Sequence, residues 1–196
     1  MKGLHLLIFL LMTSFSYSQN TDSSLPYYEI PEAPEKFNAC TVAARTIDGL
    51  GFRYYWATEG LRAEDLQFKP NEEARNVEAT IDHILGLTTV VLNAVKNQPN
   101  SRSDENLSFE EKRKRTLLNI QEASNLLKEM KPKQMKKLKV IFQRGENRSE
   151  YPFWNILNGP LADAIWHVGQ VVSFRRSSGN PLNSRASMFS GKLRKK

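Results

Sequence analysis

The stretch GPLADAIWHVGQVVSFRRSSGNP, residues 159–181, decides both the fold and the chemistry expected of this chain. Most of its residues are small or apolar, which is typical of a helix that packs into a protein core. Asp163 and His167 are four positions apart and Gln170 follows three positions later, so the three side chains project from one helix face. The closing Gly-Asn-Pro sequence ends the helix.

Apolar residues recur at the helical period in three further stretches, and Ser108 and Glu111 have the spacing of a capping box. With the last helix, which Pro160 interrupts, the predicted helices are 38–61, 71–96, 108–131 and 152–178. Residues 138–142, LKVIF, have a β-like composition before a polar turn, which predicts a short extended segment before the last helix. The sequence therefore predicts an all-α fold, an up-down four-helix bundle that includes this extended segment.

The N-terminal stretch MKGLHLLIFLLMTSFSYSQ, residues 1–19, has the pattern of a secretory signal peptide. Lys2 precedes an apolar run from Leu4 to Met12, and the sequence Ser-Tyr-Ser follows at 16–18. The apolar run is shorter than a membrane-spanning helix requires. We therefore expect an exported protein, periplasmic or secreted, with no membrane association after cleavage. An uncleaved membrane anchor is the alternative.

The chain of 196 residues is long enough for one domain with short appendages. Residues 20–37, rich in serine, proline and acidic side chains, are expected to form an extended leader. We expect the helical domain to occupy residues 38–181, and residues 182–196 to form a basic flexible tail. Because Cys40 is the single cysteine of the sequence, an internal disulfide bond is excluded.

The chain carries a formal net charge of +7 at pH 7, with lysines and arginines crowded into and after the third helix and at the C-terminus. One interpretation is an anionic partner that binds the basic third helix and tail. The other is a solvated helix face with a basic tail. No aromatic residues alternate with the lysines of the first two basic runs, so we expect no nucleic-acid partner.

Two histidines remain after the predicted cleavage, His83 and His167. His83 borders the apolar stripe of the second helix, so packing of that helix beside the last one would bring it to Asp163 and His167. Two imidazoles and a carboxylate suit a divalent zinc, iron or nickel ion and leave a position open for water or substrate. The alternative is a hydrogen-bonded core pair of Asp163 and His167, with His83 as a satisfied interior histidine.

Two segments of the sequence carry a resemblance to a known family. They are RTIDGLGFRYYWATEGLRAEDLQFKPNEEARNVEATIDHILGL (45–87), with a linker that ends in proline and a histidine at 83, and PLADAIWHVGQVVSFRRSSGNP (160–181). In this order they resemble the DinB/YfiT-like metalloenzyme superfamily, whose fourth helix typically reads His-x-x-x-His-x-Gly-Gln, then Arg and Gly-x-Pro. The resemblance covers residues from about 43 to 181 and implies that family's four-helix bundle.

The resemblance implies a metal triad with one histidine from helix two and two from helix four. Carried over, His83 is the first ligand and His167 the last, and Asp163 stands where the family most often has histidine. The family's best-known chemistry is the transfer of a low-molecular-weight thiol to a small molecule.

The expected activity is therefore that of a metal-dependent transferase of the thiol-transfer type or a hydrolase acting on a small molecule, and the carboxylate of Asp163 would make a bound thiolate less favourable. A non-catalytic binding or scaffold protein with a degenerate metal site is the alternative. The resemblance also allows a homodimer, since relatives pair through helix faces.

Further residues are candidates for contacting a substrate or orienting a ligand, and none is assigned a catalytic role: Gln170, Tyr55, Glu59, Asn158 and Arg176. Gln170 shares the helix face of the ligands, Tyr55 could line the pocket and Glu59 could reach the metal. Asn158 precedes the helix break and could bind substrate, and Arg176 could bind an acidic group. For each, an ordinary role in the core, at a helix cap or on the surface is the alternative.

Overall fold

The computed structural model describes residues 25–101 and 105–195. Its α-helices are α1 (Ala39–Thr58), α2 (Ala63–Gln67), α3 (Val77–Val95), α4 (Phe109–Glu129), α5 (Pro132–Met135), α6 (Trp154–Ile156) and α7 (Ala162–Ser177), with a π-helical turn at Leu157–Leu161 before the last. Its strands are β1 (Pro99–Asn100), β2 (Lys139–Arg144), β3 (Asn147–Pro152), β4 (Ala186–Ser187) and β5 (Lys192–Leu193). The four long helices lie within the stretches whose apolar periodicity predicted them.

Side-chain caps define where three of the long helices begin. The carboxamide of Asn38 accepts hydrogen bonds from two backbone amides of the first turn of α1, and that of Asn76 does the same for one amide of α3. The capping box predicted at the start of α4 is confirmed, because Glu111 N donates to Ser108 Oγ at 3.3 Å and Ser108 N donates to Glu111 Oε2 at 2.8 Å. These bonds satisfy amides that have no partner within the helix.

The prediction of an all-α four-helix bundle is wrong, because the chain forms two β-sheets besides its helices. β2 pairs in parallel with β1 and antiparallel with β3, and β4 pairs with β5. β2 has strand-like residues, the buried and β-branched Val140 and Ile141. Every residue of β3 is exposed, and the strand forms because a tight turn at Gly145, with φ of 58°, folds it back on β2. The fold is therefore a mixed one of helices and small sheets.

The core lies between the four long helices, where α4 packs on α1 and α3, and α7 packs on the same two helices. Burial of each large aliphatic side chain there contributes about 1.5–3 kcal/mol. All four helices supply such residues: Ile47, Leu50, Ile81, Ile84, Leu117, Ile120, Val168 and Val171. Because α3 lies beside α7, polar residues at the edge of this core meet across the two helices.

The described part of the expected leader packs against α1. Tyr27 is only 4% exposed, and its hydroxyl donates a hydrogen bond to Asp48 Oδ1 at 2.9 Å. The buried Asp48 also pairs with Lys128 of α4 at 2.8 Å. Burial, and then the charge of Asp48, raise the pKa of Tyr27 well above its usual range, so its hydroxyl remains a donor. The segment is thus held by a buried polar network that joins α1 to α4.

Residues 182–195 were expected to form a flexible tail and instead contain the β4–β5 hairpin, in which Ala186 is buried. The hairpin contacts the N-terminal segment, since the amide of Ile30 donates to the carbonyl of Gly191 at 2.8 Å. The predicted signal peptide, residues 1–19, lies outside the described residues. Within the part of the chain that is described, no helix has the length and apolar character needed to cross a membrane.

Substitution of Gly51 by alanine should destabilise the protein by about 1–3 kcal/mol, as overpacking does. The new Cβ would lie 2.6 Å from the ring of Tyr27. Gly49→Ala is a matched control in the same helix, where the Cβ would meet only the movable guanidinium tip of Arg53, at 3.2 Å. Since alanine favours a helix over glycine by about 1 kcal/mol, the control should be neutral or stabilising. Urea unfolding measures both free energies, and equal losses would contradict the packing of Tyr27 on Gly51.

Candidate metal centre

The predicted ligands His83, Asp163 and His167 lie together in the structure. His83 Nε2 is 3.3 Å from Asp163 Oδ2, and His167 Nε2 is 3.3 Å from Asp163 Oδ1. The two imidazole rings are nearly perpendicular, with centroids 4.6 Å apart. One ligand atom from each of the three side chains lies within 4.8 Å of the others, an arrangement that could hold a metal ion.

Two helices position the cluster. His83 lies on α3 between Ile81 and Ile84, which are fully buried and fix the rotation of the helix about its axis. Asp163 lies in the first turn of α7, where the partial positive charge of the helix N-terminus favours a carboxylate. His167 follows one turn later on the same face. The π-helical turn that contains Pro160 precedes α7, and Pro160 has no amide hydrogen with which to continue a regular helix.

Gln170 orients His167. Its Oε1 lies 2.6 Å from His167 Nδ1 and accepts a hydrogen bond from the protonated nitrogen in the assigned amide orientation. In the neutral ring, Nε2 then carries the lone pair, and this is the nitrogen that faces Asp163. A histidine that binds a metal through one ring nitrogen usually donates a hydrogen bond from its other ring nitrogen to an oxygen acceptor. The sequence predicted that Gln170 orients a group at the site, and in the structure that group is the side chain of His167.

The cluster is partly open to solvent, since the side chains of His83 and Asp163 are 35% and 37% exposed and that of His167 is 15% exposed. An open groove of about 1400 Å³ runs from His83 along α3 and α4 to the β2–β3 turn. Asp163 and His167 are not among the residues that line it, so the groove meets the cluster through His83.

Trp166 is a neighbour of the cluster that sequence reasoning did not single out. The residue is 68% exposed, and its ring lies 15° from the plane of the His167 ring, with 6.4 Å between centroids. The sequence indicated that Trp166 lies near the cluster only through its position, next to His167 and three residues after Asp163.

Tyr55 and Glu59 belong to a different cluster. Tyr55 is buried and its ring packs against Tyr28 and Trp56, while the guanidinium of Arg113 lies 4.8 Å from the ring centroid. The carboxylate of Glu59 pairs with that same guanidinium. Glu59 is not a member of the histidine–aspartate cluster, and both residues hold the end of α1 to α4.

Asn158 and Arg176 are exposed and lie outside the cluster, Asn158 in the π-helical turn and Arg176 near the end of α7. The buried arginine is its neighbour Arg175, which is 2% exposed. The guanidinium of Arg175 donates to the carbonyls of Trp56, Ala57 and Glu59 at 2.9–3.1 Å. Arg175 therefore satisfies the last carbonyls of α1, which have no partner within the helix.

Asp65 of α2 completes this junction at the end of α7. Its carboxylate, with 0% exposure, accepts hydrogen bonds from Arg62, from Ser178 Oγ at 2.6 Å and from Asn180 Nδ2 at 2.6 Å. The hydrogen bond from Arg62, followed by those from Ser178 and Asn180, holds the pKa of Asp65 well below its usual range. The Ser-Gly-Asn-Pro sequence after α7 thus has a structural function in this fold.

No family model, no curated protein and no solved structure matches the chain. Membership of the DinB/YfiT-like superfamily therefore stays a prediction from the sequence, and the all-α fold that it implied is wrong. The geometry of the chain itself carries the functional argument.

Arg175→Ala should lower the free energy of unfolding by about 3 kcal/mol, because it leaves several buried carbonyls without a donor. Arg176→Ala removes the adjacent, exposed guanidinium and should change the free energy by less than about 0.5 kcal/mol. Chemical denaturation of the two variants measures the difference. Similar losses in both would contradict the placement of Arg175 at the end of α1.

Asp65→Asn should cost about 2 kcal/mol at pH 7, because charged hydrogen bonds are lost. The pKa of Asp65 is lower in the folded than in the unfolded state, so its stabilisation is present above pH about 4 and disappears as the pH falls further. The gap between wild type and variant should therefore close below pH 4 in unfolding titrations. Glu64→Gln, which removes an exposed carboxylate paired with the same arginine, should cost less than about 1 kcal/mol. A gap that persists at low pH would contradict the assigned role of Asp65.

Proposed function

We propose that this protein binds one divalent metal ion through His83, Asp163 and His167 and hydrolyses a small molecule with it. The three ligands are carried by two long helices packed against each other, so the site is formed without rearrangement of a loop. Zinc, nickel and iron(II) are the ions that this donor set suits.

The observation that carries the proposal is the spacing of the ligand atoms. Two ligands that each lie about 2.0–2.1 Å from a tetrahedral zinc ion are about 3.3 Å from one another. Each imidazole Nε2 is 3.3 Å from an oxygen of Asp163. The two distances involve different oxygens of Asp163, and the three ligand atoms lie within 4.8 Å of one another, so an ion would be held after side-chain rotations that draw these atoms together.

The donor set favours hydrolysis over thiol transfer. A divalent ion held by three protein ligands supplies Lewis acidity and can activate a bound water at neutral pH. The negative charge of Asp163 lowers the net charge of an ion-loaded site from about +2 to about +1, so a thiolate would bind less strongly there than at a site of three histidines. His83 and Asp163 are partly exposed, so a substrate can reach the site from solvent.

A non-catalytic role is the second candidate, and one observation favours it. Each oxygen of Asp163 lies 3.3 Å from an imidazole Nε2, so the side chains can pair without an ion if both Nε2 atoms carry protons, which for a neutral His167 requires the reversed amide orientation of Gln170. In that case the cluster would tie α3 to α7 in a binding or scaffold protein. Export, homodimer formation and the absence of a nucleic-acid partner stay predictions from the sequence.

Metal analysis of the purified protein tests the proposal. We expect one equivalent of bound divalent metal in the wild type and its loss in His167→Ala and Asp163→Asn, which remove ligands. Asp82→Asn is a matched control, because this neighbouring carboxylate on α3 pairs with Lys112 at 2.8 Å, and its removal should leave metal binding intact. Gln170→Leu should weaken zinc affinity by roughly 10-fold, as the loss of such hydrogen bonds does.

Absence of bound metal in protein refolded or dialysed with zinc would overturn the metal proposal and leave the structural cluster. If His167→Ala then lowers the free energy of unfolding to the same extent with and without zinc, the cluster acts as a tie between helices. An equal loss of affinity in Asp82→Asn and Asp163→Asn would contradict the proposed ligand set, because the loss would then not be specific to Asp163.

A further inference from the structure

An exposed indole stands directly beside the candidate metal centre. Trp166 is 68% exposed, although indole is among the largest apolar side chains and its burial would be favourable. Its neighbour His167 is one of the three proposed ligands. Trp154 on α6 is comparably exposed, at 74%, but makes no ring contact with the cluster within the described ranges. Trp154 therefore serves as a control, an exposed indole without a ring contact to the cluster.

The orientation of Trp166 is suited to contact a ligand of the metal. Its ring lies 15° from the plane of the His167 imidazole. An ion on His167 Nε2 would lie close to the plane of that ring, and the ring centroid of Trp166 is only 6.4 Å from that of His167, so the indole is a close neighbour for a group bound to the ion. Flat groups there can stack on the indole in the offset geometry that aromatic pairs prefer.

The net charge of the ion-loaded site indicates a second feature of the substrate, the type of atom that binds the ion. A divalent ion with one carboxylate and two neutral imidazoles has a net charge of about +1, which favours an anionic or strongly polar oxygen donor. An apolar face beside a cationic site fits a molecule in which a group with an oxygen donor, such as a carbonyl, is attached directly to a planar ring. The polar group would bind the ion, and the ring would cover the indole and exclude water.

We propose that Trp166 is the substrate-stacking residue of the metal site, and that the substrate class is aryl carbonyl compounds, in which a carbonyl group is attached directly to an aromatic ring, such as esters or amides of aromatic acids. The proposal rests on the metal-dependent function proposed above. It assigns to Trp166 a direct contact with substrate and no part in holding the metal.

The first step of the test locates the metal by fluorescence. Cobalt(II) is titrated into wild type, Trp166→Phe and Trp154→Phe, because paramagnetic ions quench nearby indoles. We expect quenching in the wild type and in Trp154→Phe and its near-complete loss in Trp166→Phe, with the cobalt affinity unchanged in all three. Absence of cobalt binding in every protein would sink the proposed function. Binding with quenching that survives in Trp166→Phe would overturn only the placement of Trp166 beside the ion.

The second step tests the substrate class with two hydroxamate probes on the zinc-loaded protein. Benzohydroxamate and acetohydroxamate present the same oxygen donors and differ in the ring. In the wild type, stacking should favour the benzo compound by about fivefold beyond the preference in Trp166→Ala. Trp154→Ala should keep the wild-type preference.

Each outcome of the hydroxamate titration is decisive. A ring preference that is equal in wild type and Trp166→Ala would overturn the stacking role while the metal site stands. An equal loss in Trp154→Ala would show that a general surface effect is responsible. Loss of zinc itself from Trp166→Ala would make Trp166 a support for His167 instead of a contact for the substrate. Calorimetric titration of each protein separates zinc content from hydroxamate affinity.

Discussion

The register of α7 against the end of α1 is the constraint on which the rest of the structure depends. The buried guanidinium of Arg175 must find acceptors, and it finds them in the last carbonyls of α1. The carboxylate of Asp65 binds Ser178 and Asn180 just beyond the same helix. A shift of α7 by one turn would break all of these bonds at once. The position of Asp163 and His167 along α7 is therefore set by polar contacts at the other end of that helix.

With α7 held in this way, its packing on α3 assembles the candidate site. His83 meets Asp163 and His167 because the apolar residues that flank it on α3 are buried in the shared core. Gln170 then selects which nitrogen of His167 faces the carboxylate. Side chains on long, packed helices are held more precisely than side chains on loops, which is an advantage for metal binding. The exposed indole of Trp166 is carried on the same rigid element.

The part of the fold that the sequence did not predict has one physical cause. The strand β3 is polar and wholly exposed, so it has no apolar alternation to reveal it, and it exists because β2 offers a hydrogen-bonding edge. The terminal segments are similar. Tyr27 is buried because the absence of a side chain at Gly51 leaves room for its ring, and the hairpin at 186–193 pairs its backbone with itself and with Ile30. Each of these features depends on pairing with a partner, within a hairpin for β3 and for residues 186–193 and with residues distant in sequence for Tyr27 and Ile30, and apolar periodicity does not reveal such pairing.

By itself the sequence determined the positions of the four long helices and the placement of Asp163, His167 and Gln170 on one helix face, because helical periodicity and capping are local properties. Only the tertiary structure decided which other residues join them. It brings His83 to the cluster, directs Glu59 to Arg113, and buries Arg175 while Arg176 stays exposed. These choices depend on how helices far apart in the chain pack against one another. A local pattern can show that two residues share a face, but it cannot show which partner that face meets.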